Sequence, residues 1–127
     1  MTSRPIAALK CTVNVRYLSE QSDPAAGRYA FGYTVSIRNL GEVAAQVVGR
    51  HWVITDGHGH TQEVRGLGVV GHQPLLRPGE TFEYSSWTPL STPTGQMSGE
   101  YLCMTEDAHW FEAPVDAFTL AMPQALH

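Results

Sequence analysis

A chain of 127 residues, 43% apolar and with a formal net charge of −4, has the size and balance of one globular domain spanning residues 1–127. Charged residues make up only 16%, Lys10 is the single lysine, and no run of basic side chains exists, which argues against a nucleic-acid partner. No stretch approaches the ~20 apolar residues of a membrane-spanning helix, and the opening MTSRPIAALK lacks the apolar core of a leader, so the expectation is a cytoplasmic protein with no membrane partner.

In chain order, residues 1–9 are expected to be flexible. Cys11, Val13, Val15 and Tyr17 then alternate with Thr12, Asn14 and Arg16, a strand with one apolar and one polar face. Ser19 to Gly27 is polar and turn-rich and reads as a loop. Tyr29, Phe31, Tyr33, Val35 and Ile37 form the cleanest alternating strand, and Asn39-Leu40-Gly41-Glu42 turns the chain into Val43 to Thr55. That segment is long and changes parity: Val43, Val47 and Val53 form one set, Val48, Trp52 and Ile54 the other. Gly49 is the natural place for a bulge between them. Asp56-Gly57-His58-Gly59 predicts a hairpin turn, with Thr61 to Arg65 as the returning strand. A glycine string and the turn Arg77-Pro78-Gly79-Glu80 follow, then a strand through Phe82, Tyr84 and Ser86. Thr88 to Gly95, with two prolines and a glycine, reads as a loop. Met97, Gly99, Tyr101 and Cys103 mark one face of a further strand, and Glu106-Asp107-Ala108 turns into Trp110 to Leu120, where Pro114 suits an edge or a bulge. No helix longer than a turn is predicted. Short strands at this spacing make an all-β sandwich.

Four features are candidates for chemistry. Gly66-Leu67-Gly68-Val69-Val70-Gly71 spells GxGxxG, which in a dinucleotide-binding domain presents backbone amides and a helix N-terminus to a pyrophosphate. Arg65 and Arg77 flank the string and could neutralise a phosphate, but no helix follows and Val69-Val70 favours extended structure, so a structural role in a twisted or bulged strand leads. His58 and His60, two residues apart on an extended chain, are weak metal ligands that Asp56 and Glu63 could complete; solvated histidines at a hairpin tip are the simpler reading. Trp52 is expected in the core with its neighbours Arg50 and His51 partly facing the other side. Cys11 and Cys103 read as buried free thiols, although pairing of the first and last strands would allow a disulfide. No catalytic constellation emerges: Ser85 and Ser86 lack a strand-to-helix elbow, and alternation explains Glu80 and Glu83.

From Tyr29 onward the pieces resemble the bacterial ApaG family. The matching elements are Phe31-x-Tyr33-x-Val35-x-Ile37-x-Asn39, Arg50-His51-Trp52, Ile54-Thr55-Asp56, Glu63-Val64-x-Gly66-x-Gly68-Val69-Val70-Gly71 and Gln73-Pro74. They continue through Pro78-Gly79-Glu80-x-Phe82-x-Tyr84-x-Ser86, Thr92-Pro93-x-Gly95-x-Met97-x-Gly99-x-Tyr101 and Phe118-x-Leu120. The resemblance implies an immunoglobulin-like, fibronectin type III-like β-sandwich of two antiparallel sheets. It also implies a link to cobalt resistance and magnesium efflux, with no established chemistry, and protein–protein contacts made by similar eukaryotic domains. His58 and His60 lie outside the matched pattern. The expectation is a non-enzymatic module without a cofactor that binds an unidentified protein through sheet edges and the segment Thr88 to Gly95. The alternatives are a phosphate, pyrophosphate or nucleotide sensor at Gly66–Gly71, which would take a phosphate-containing small molecule, and a direct binder of divalent metal.

Overall fold

The computed structural model describes residues 6–123. These residues form eight strands: β1 (Leu9–Tyr17), β2 (Tyr29–Asn39), β3 (Ala45–Asp56), β4 (Thr61–Leu67), β5 (Leu75–Leu76), β6 (Thr81–Leu90), β7 (Thr94–Thr105) and β8 (Trp110–Ala121). They form two antiparallel sheets, one ordered β1-β2-β6 and one ordered β4-β3-β7-β8, with β5 paired to the start of β3. The expected two-sheet β-sandwich is what the chain forms. Residues 1–5 of the segment expected to be flexible lie outside the described residues. Further along it, the carbonyls of Ile6 and Ala8 accept backbone hydrogen bonds from Glu42 and Leu40, and Leu9 opens β1.

Period-two alternation builds the core. Phe31, Tyr33, Val35 and Ile37 of β2 face Trp52 and Ile54 of β3, Met97, Tyr101 and Cys103 of β7, and Val115 and Leu120 of β8 in one continuous apolar cluster. Trp52 sits at its centre, with ring centroids of Tyr33 at 5.8 Å, Tyr101 at 5.9 Å and Phe118 at 6.2 Å, all edge-on. Asn39, 1% exposed, is fully used: its Nδ2 donates to the carbonyls of Val43 and Leu76, and its Oδ1 accepts from the amide of Gly41. One buried amide thus ties the β2–β3 turn to β5.

The parity change in β3 has the expected cause. Register with β7 shifts between Val47 and Gly49, so Val48 is the bulged residue and both Val47 and Trp52 face the core. A second shift, opposite Met97 and Gly99, leaves Asp116 and Ala117 of β8 out of register and returns Phe118 and Leu120 to the interior. Two expectations change. Thr88 to Gly95 is not one loop: β6 runs to Leu90 and only Ser91–Pro93 connects it to β7. Pro89 fits because β6 is an edge strand whose single partner is β2, so a missing N–H costs no ladder bond. The first strand and the last described strand lie in different sheets, packed across the interior, and Cys11 and Cys103 are free thiols. Burial pushes them up to about 11 and about 12, away from thiolate chemistry.

Candidate functional site

The glycine string is a strand end and a turn. Gly66 and Leu67 close β4, and Gly68 donates its amide to the Val48 carbonyl, fixing the string against the β3 bulge. Val69 and His72 exchange both backbone hydrogen bonds around Val70 (φ +48°) and Gly71 (φ +78°), a two-residue reversal with positive φ at both central positions. Val69 is fully buried, while Val70 is 57% exposed. Gly68 is required twice over: its φ is +67°, and a Cβ there would lie 2.5 Å from the His72 carbonyl oxygen. No helix follows. The Gly68 and Val69 amides, which a phosphate would need, already donate to carbonyls. Arg65 extends towards Glu63 (3.8 Å) and Arg77 towards Glu80 (3.9 Å), each within a local ion pair.

A cation reaches the string from Arg50. Where Trp52 was expected to be flanked by residues facing the other side, Arg50 shares the inward parity of Trp52 and Ile54, and only His51 turns outward. The Arg50 guanidinium lies on Gly66, where a Cβ would come within 2.8 Å of three of its atoms. Its Nη1 donates to the carbonyls of Leu67 and Gly68, both at 3.0 Å. The string therefore presents oxygens to a guanidinium and uses the missing Gly66 side chain to let it lie flat.

On the outer face of the larger sheet, cross-strand register brings three strands to one cluster. His51 of β3 pairs with Arg65 of β4 on one side and Glu100 of β7 on the other. Its Nδ1 is 2.8 Å from Glu100 Oε1 and its Nε2 is 2.8 Å from Glu63 Oε1. Carboxylates accept only, so the form of the ring that satisfies both contacts is the imidazolium, with a hydrogen on each nitrogen. The hydrogen bonds that His51 donates to Glu100 and then Glu63 raise its pKa above the ordinary 6.5, against a smaller lowering by desolvation and Arg65. One register step away, Leu67, Gly49, Leu102 and Glu112 stand in a row. Gly49 offers no side chain, so a depression of about 430 Å³ opens between Leu67 (79% exposed) and Leu102 (42%). The next step carries Met104 beside Trp110, itself 56% exposed.

His58 and His60 are exposed at the β3–β4 hairpin, with ring centroids 6.3 Å apart. Of the two expected completing ligands one is at hand: Asp56 accepts the amides of His58 and His60 and lies 3.4 Å from the His60 ring, whereas Glu63 goes to His51. Among the described residues no group of three or more His, Cys, Asp or Glu side chains is arranged to hold a metal. No helix among them is long and apolar enough to cross a membrane.

A model of the ApaG domain matches residues 19–105. The chain belongs to the ApaG family. It is 62% identical over 119 residues to the protein ApaG of Ralstonia nicotianae, covering 94% of this chain and 96% of that one. Against ApaG of Bordetella pertussis it is 57% identical over 126 residues, covering 98% and 96%. The crystal structure of a Bordetella pertussis protein named ApaA superposes with a TM-score of 0.91 at 57% identity, covering 93% of this chain and 96% of that chain. Within this ApaG chain, the GxGxxG string belongs to the fold's own hydrogen bonding. Sequence reasoning did not bring Glu100 to His51, and it turned Arg50 away from the interior that the side chain in fact faces. Arg50 carried a signal, because it shares the parity of Trp52 and Ile54.

Proposed function

We propose that this chain is a non-enzymatic module that binds a protein through the outer face of its β4-β3-β7-β8 sheet. The observation that carries the reading is the exposed apolar pair Leu67 and Leu102 at the Gly49 trough, with exposed Trp110 one register step beyond. The rim supplies Glu63, Glu100 and Glu112 against Arg65 and His51, and Glu112 has no ion-pair partner among the described residues. The fitting partner is therefore a folded protein that inserts an apolar side chain between Leu67 and Leu102 and brings basic groups to the rim. A part in cobalt and magnesium homeostasis would then run through that partner.

Two readings stand behind this one. A phosphate or nucleotide sensor at Gly66–Gly71 would have to rely on the Val70 and Gly71 amides, and a divalent site at His58 and His60 would have Asp56 as its one nearby carboxylate. Affinity capture from the native bacterium, run in parallel with Leu102→Asp, separates them. A stoichiometric partner held by the unmodified chain, released by salt and lost with L102D, is the expected result. Retention of the same partner by L102D, or no stoichiometric partner at all, removes the docking face.

A further inference from the structure

β4 and β6 are edge strands of opposite sheets, on the side of the sandwich away from the β1–β8 contact. Their outer edges differ. In β6 the residues that bond backbone to backbone with β2 share the parity of Glu80, whose carbonyl accepts the Asn39 amide. The odd-numbered residues of β6 therefore face outwards, and one of them is Pro89, which has no N–H to offer. In β4 the His60 carbonyl accepts the Asp56 amide and the Gly68 amide donates to Val48, so the even-numbered residues between them bond to β3. Thr61, Glu63, Arg65 and Leu67 turn their N–H and C=O groups away from the sheet, and all four are exposed. Among the described residues only the Leu67 carbonyl of this outward set has a partner, Arg50 Nη1. No proline, lysine or bulge blunts the edge.

The strand is also its own complement. Glu63-Val64-Arg65 places an acid and a base about a central valine. A second β4 laid antiparallel about Val64 sets Glu63 opposite the partner's Arg65, and Thr61 opposite the partner's Leu67. These are the outward-facing residues, so each pair can exchange both backbone hydrogen bonds. Their side chains share the outer face, where Arg65 is 71% exposed and reaches Glu63 only at 3.8 Å. Glu63 uses Oε1 alone for His51 and Arg65, which leaves Oε2 for the partner's Arg65. Opposite charges directly across a ladder are favourable. On the inner face Val64 meets the partner's Val64, and Gly66 lies across from the partner's Gln62. The Arg50 guanidinium lies over Gly66, with no acceptor for its Nε and Nη2 hydrogens among the described residues. The partner's Gln62 brings an amide oxygen to that place.

We infer that two copies of this chain associate through β4, in antiparallel register centred on Val64, so that their larger sheets join into one continuous sheet. The contact is at the edge and leaves Leu102 and Trp110, on β7 and β8, uncovered, so it is independent of the docking proposed for the outer face. A pair of seven-residue strands makes a small interface, and the expected Kd is about 100 µM.

Sedimentation equilibrium from about 20 µM to about 1 mM chain spans that value. The weight-average mass should climb towards twice that of the chain. Over the same range the amides of Glu63 and Arg65 should exchange with deuterium more slowly as concentration rises, while those of Val64 and Gly66, bonded to β3, should not change. Glu63→Arg and Arg65→Glu should each weaken self-association about tenfold or more, because like charges then face each other across the ladder. An equimolar mixture of the two variants should associate as the native chain does, and so should the double variant E63R/R65E, in which the charges are exchanged. These rescues separate the register from a loss of folding. Leu102→Asp should leave self-association unchanged. A chain that stays monomeric at about 1 mM, single variants that associate like the native chain, a mixture that stays monomeric, or a dimer lost in L102D overturns the inference. A chain that dimerises in this way yet captures no other protein would leave the edge contact standing and remove only the docking face.

Discussion

His51 is the residue whose charge the structure dictates most firmly. With a carboxylate oxygen 2.8 Å from each ring nitrogen, deprotonation would leave one nitrogen lone pair facing an oxygen lone pair. Folding therefore raises the pKa of this histidine, chiefly through Glu100 and then Glu63. The folded state binds this proton more tightly than the unfolded chain, whose histidine titrates near 6.5. The stabilisation is fully present below about pH 6.5 and is lost as pH rises through the higher folded value. Urea midpoints should accordingly fall between pH 6 and pH 9 in the native chain by more than in His51→Gln, and the His51 ring proton should titrate above about 6.5. A midpoint at or below that value would mean that the two hydrogen bonds are not held in solution. None of this could be read from the sequence: Glu63 is 12 residues from His51 and Glu100 is 49 residues away. Only the antiparallel register brings them to one point.

At the scale of elements, the turn at Val69–His72 shows a local choice that conflicts with its geometry. Two-residue hairpin reversals with positive φ favour Asn or Gly, yet a β-branched valine occupies φ +48° at Val70 with its side chain largely in solvent. Val70→Asn removes that strain with little packing lost, so it should raise stability by about 0.5–1 kcal/mol. Gly68→Ala should act oppositely, by about 2–3 kcal/mol, because positive φ and the His72 carbonyl both exclude a Cβ. Chemical denaturation of the two variants checks both signs; a neutral Val70→Asn would show that the turn is not of this type in solution. The same string explains how far sequence reading reaches. Strand positions were legible because inward and outward residues alternate, and the β3 bulge was legible because Gly49 sits where the parity changes. Thr88–Gly95 was not, since Pro89 signals a break everywhere except on an edge, and which strands are edges is a property of the pairing. Arg50 was misread for a related reason. Its inward parity was visible, but the space it needs is provided by Gly66 on a neighbouring strand, 16 places along the chain and paired only by register.

The whole molecule is asymmetric about its core. One side is closed by β1 against β8, and the other leaves β4 and β6 apart. Whether the open side weakens the sandwich depends on how the two sheets share their interior. Residues of β1, β2, β3, β6, β7 and β8 belong to a single apolar cluster, so neither sheet can bury its inner face without the other. Unfolding should then be one cooperative event, in spite of the opening. Cys103 reports on this directly. It lies on the inner face of β7 with no exposed surface, and burial holds its thiol up at about 12, so alkylation requires opening of the core as well as loss of its proton. In native conditions at pH 8, iodoacetamide should label Cys103 at least about 10³-fold more slowly than in the unfolded chain, as a stability of 5 kcal/mol or more demands. In a urea series its labelling midpoint should coincide with loss of the β-sheet circular dichroism. Labelling of Cys103 at lower urea than the loss of sheet would mean that the sheets part before they unfold, opening at β4–β6 about the closed β1–β8 side.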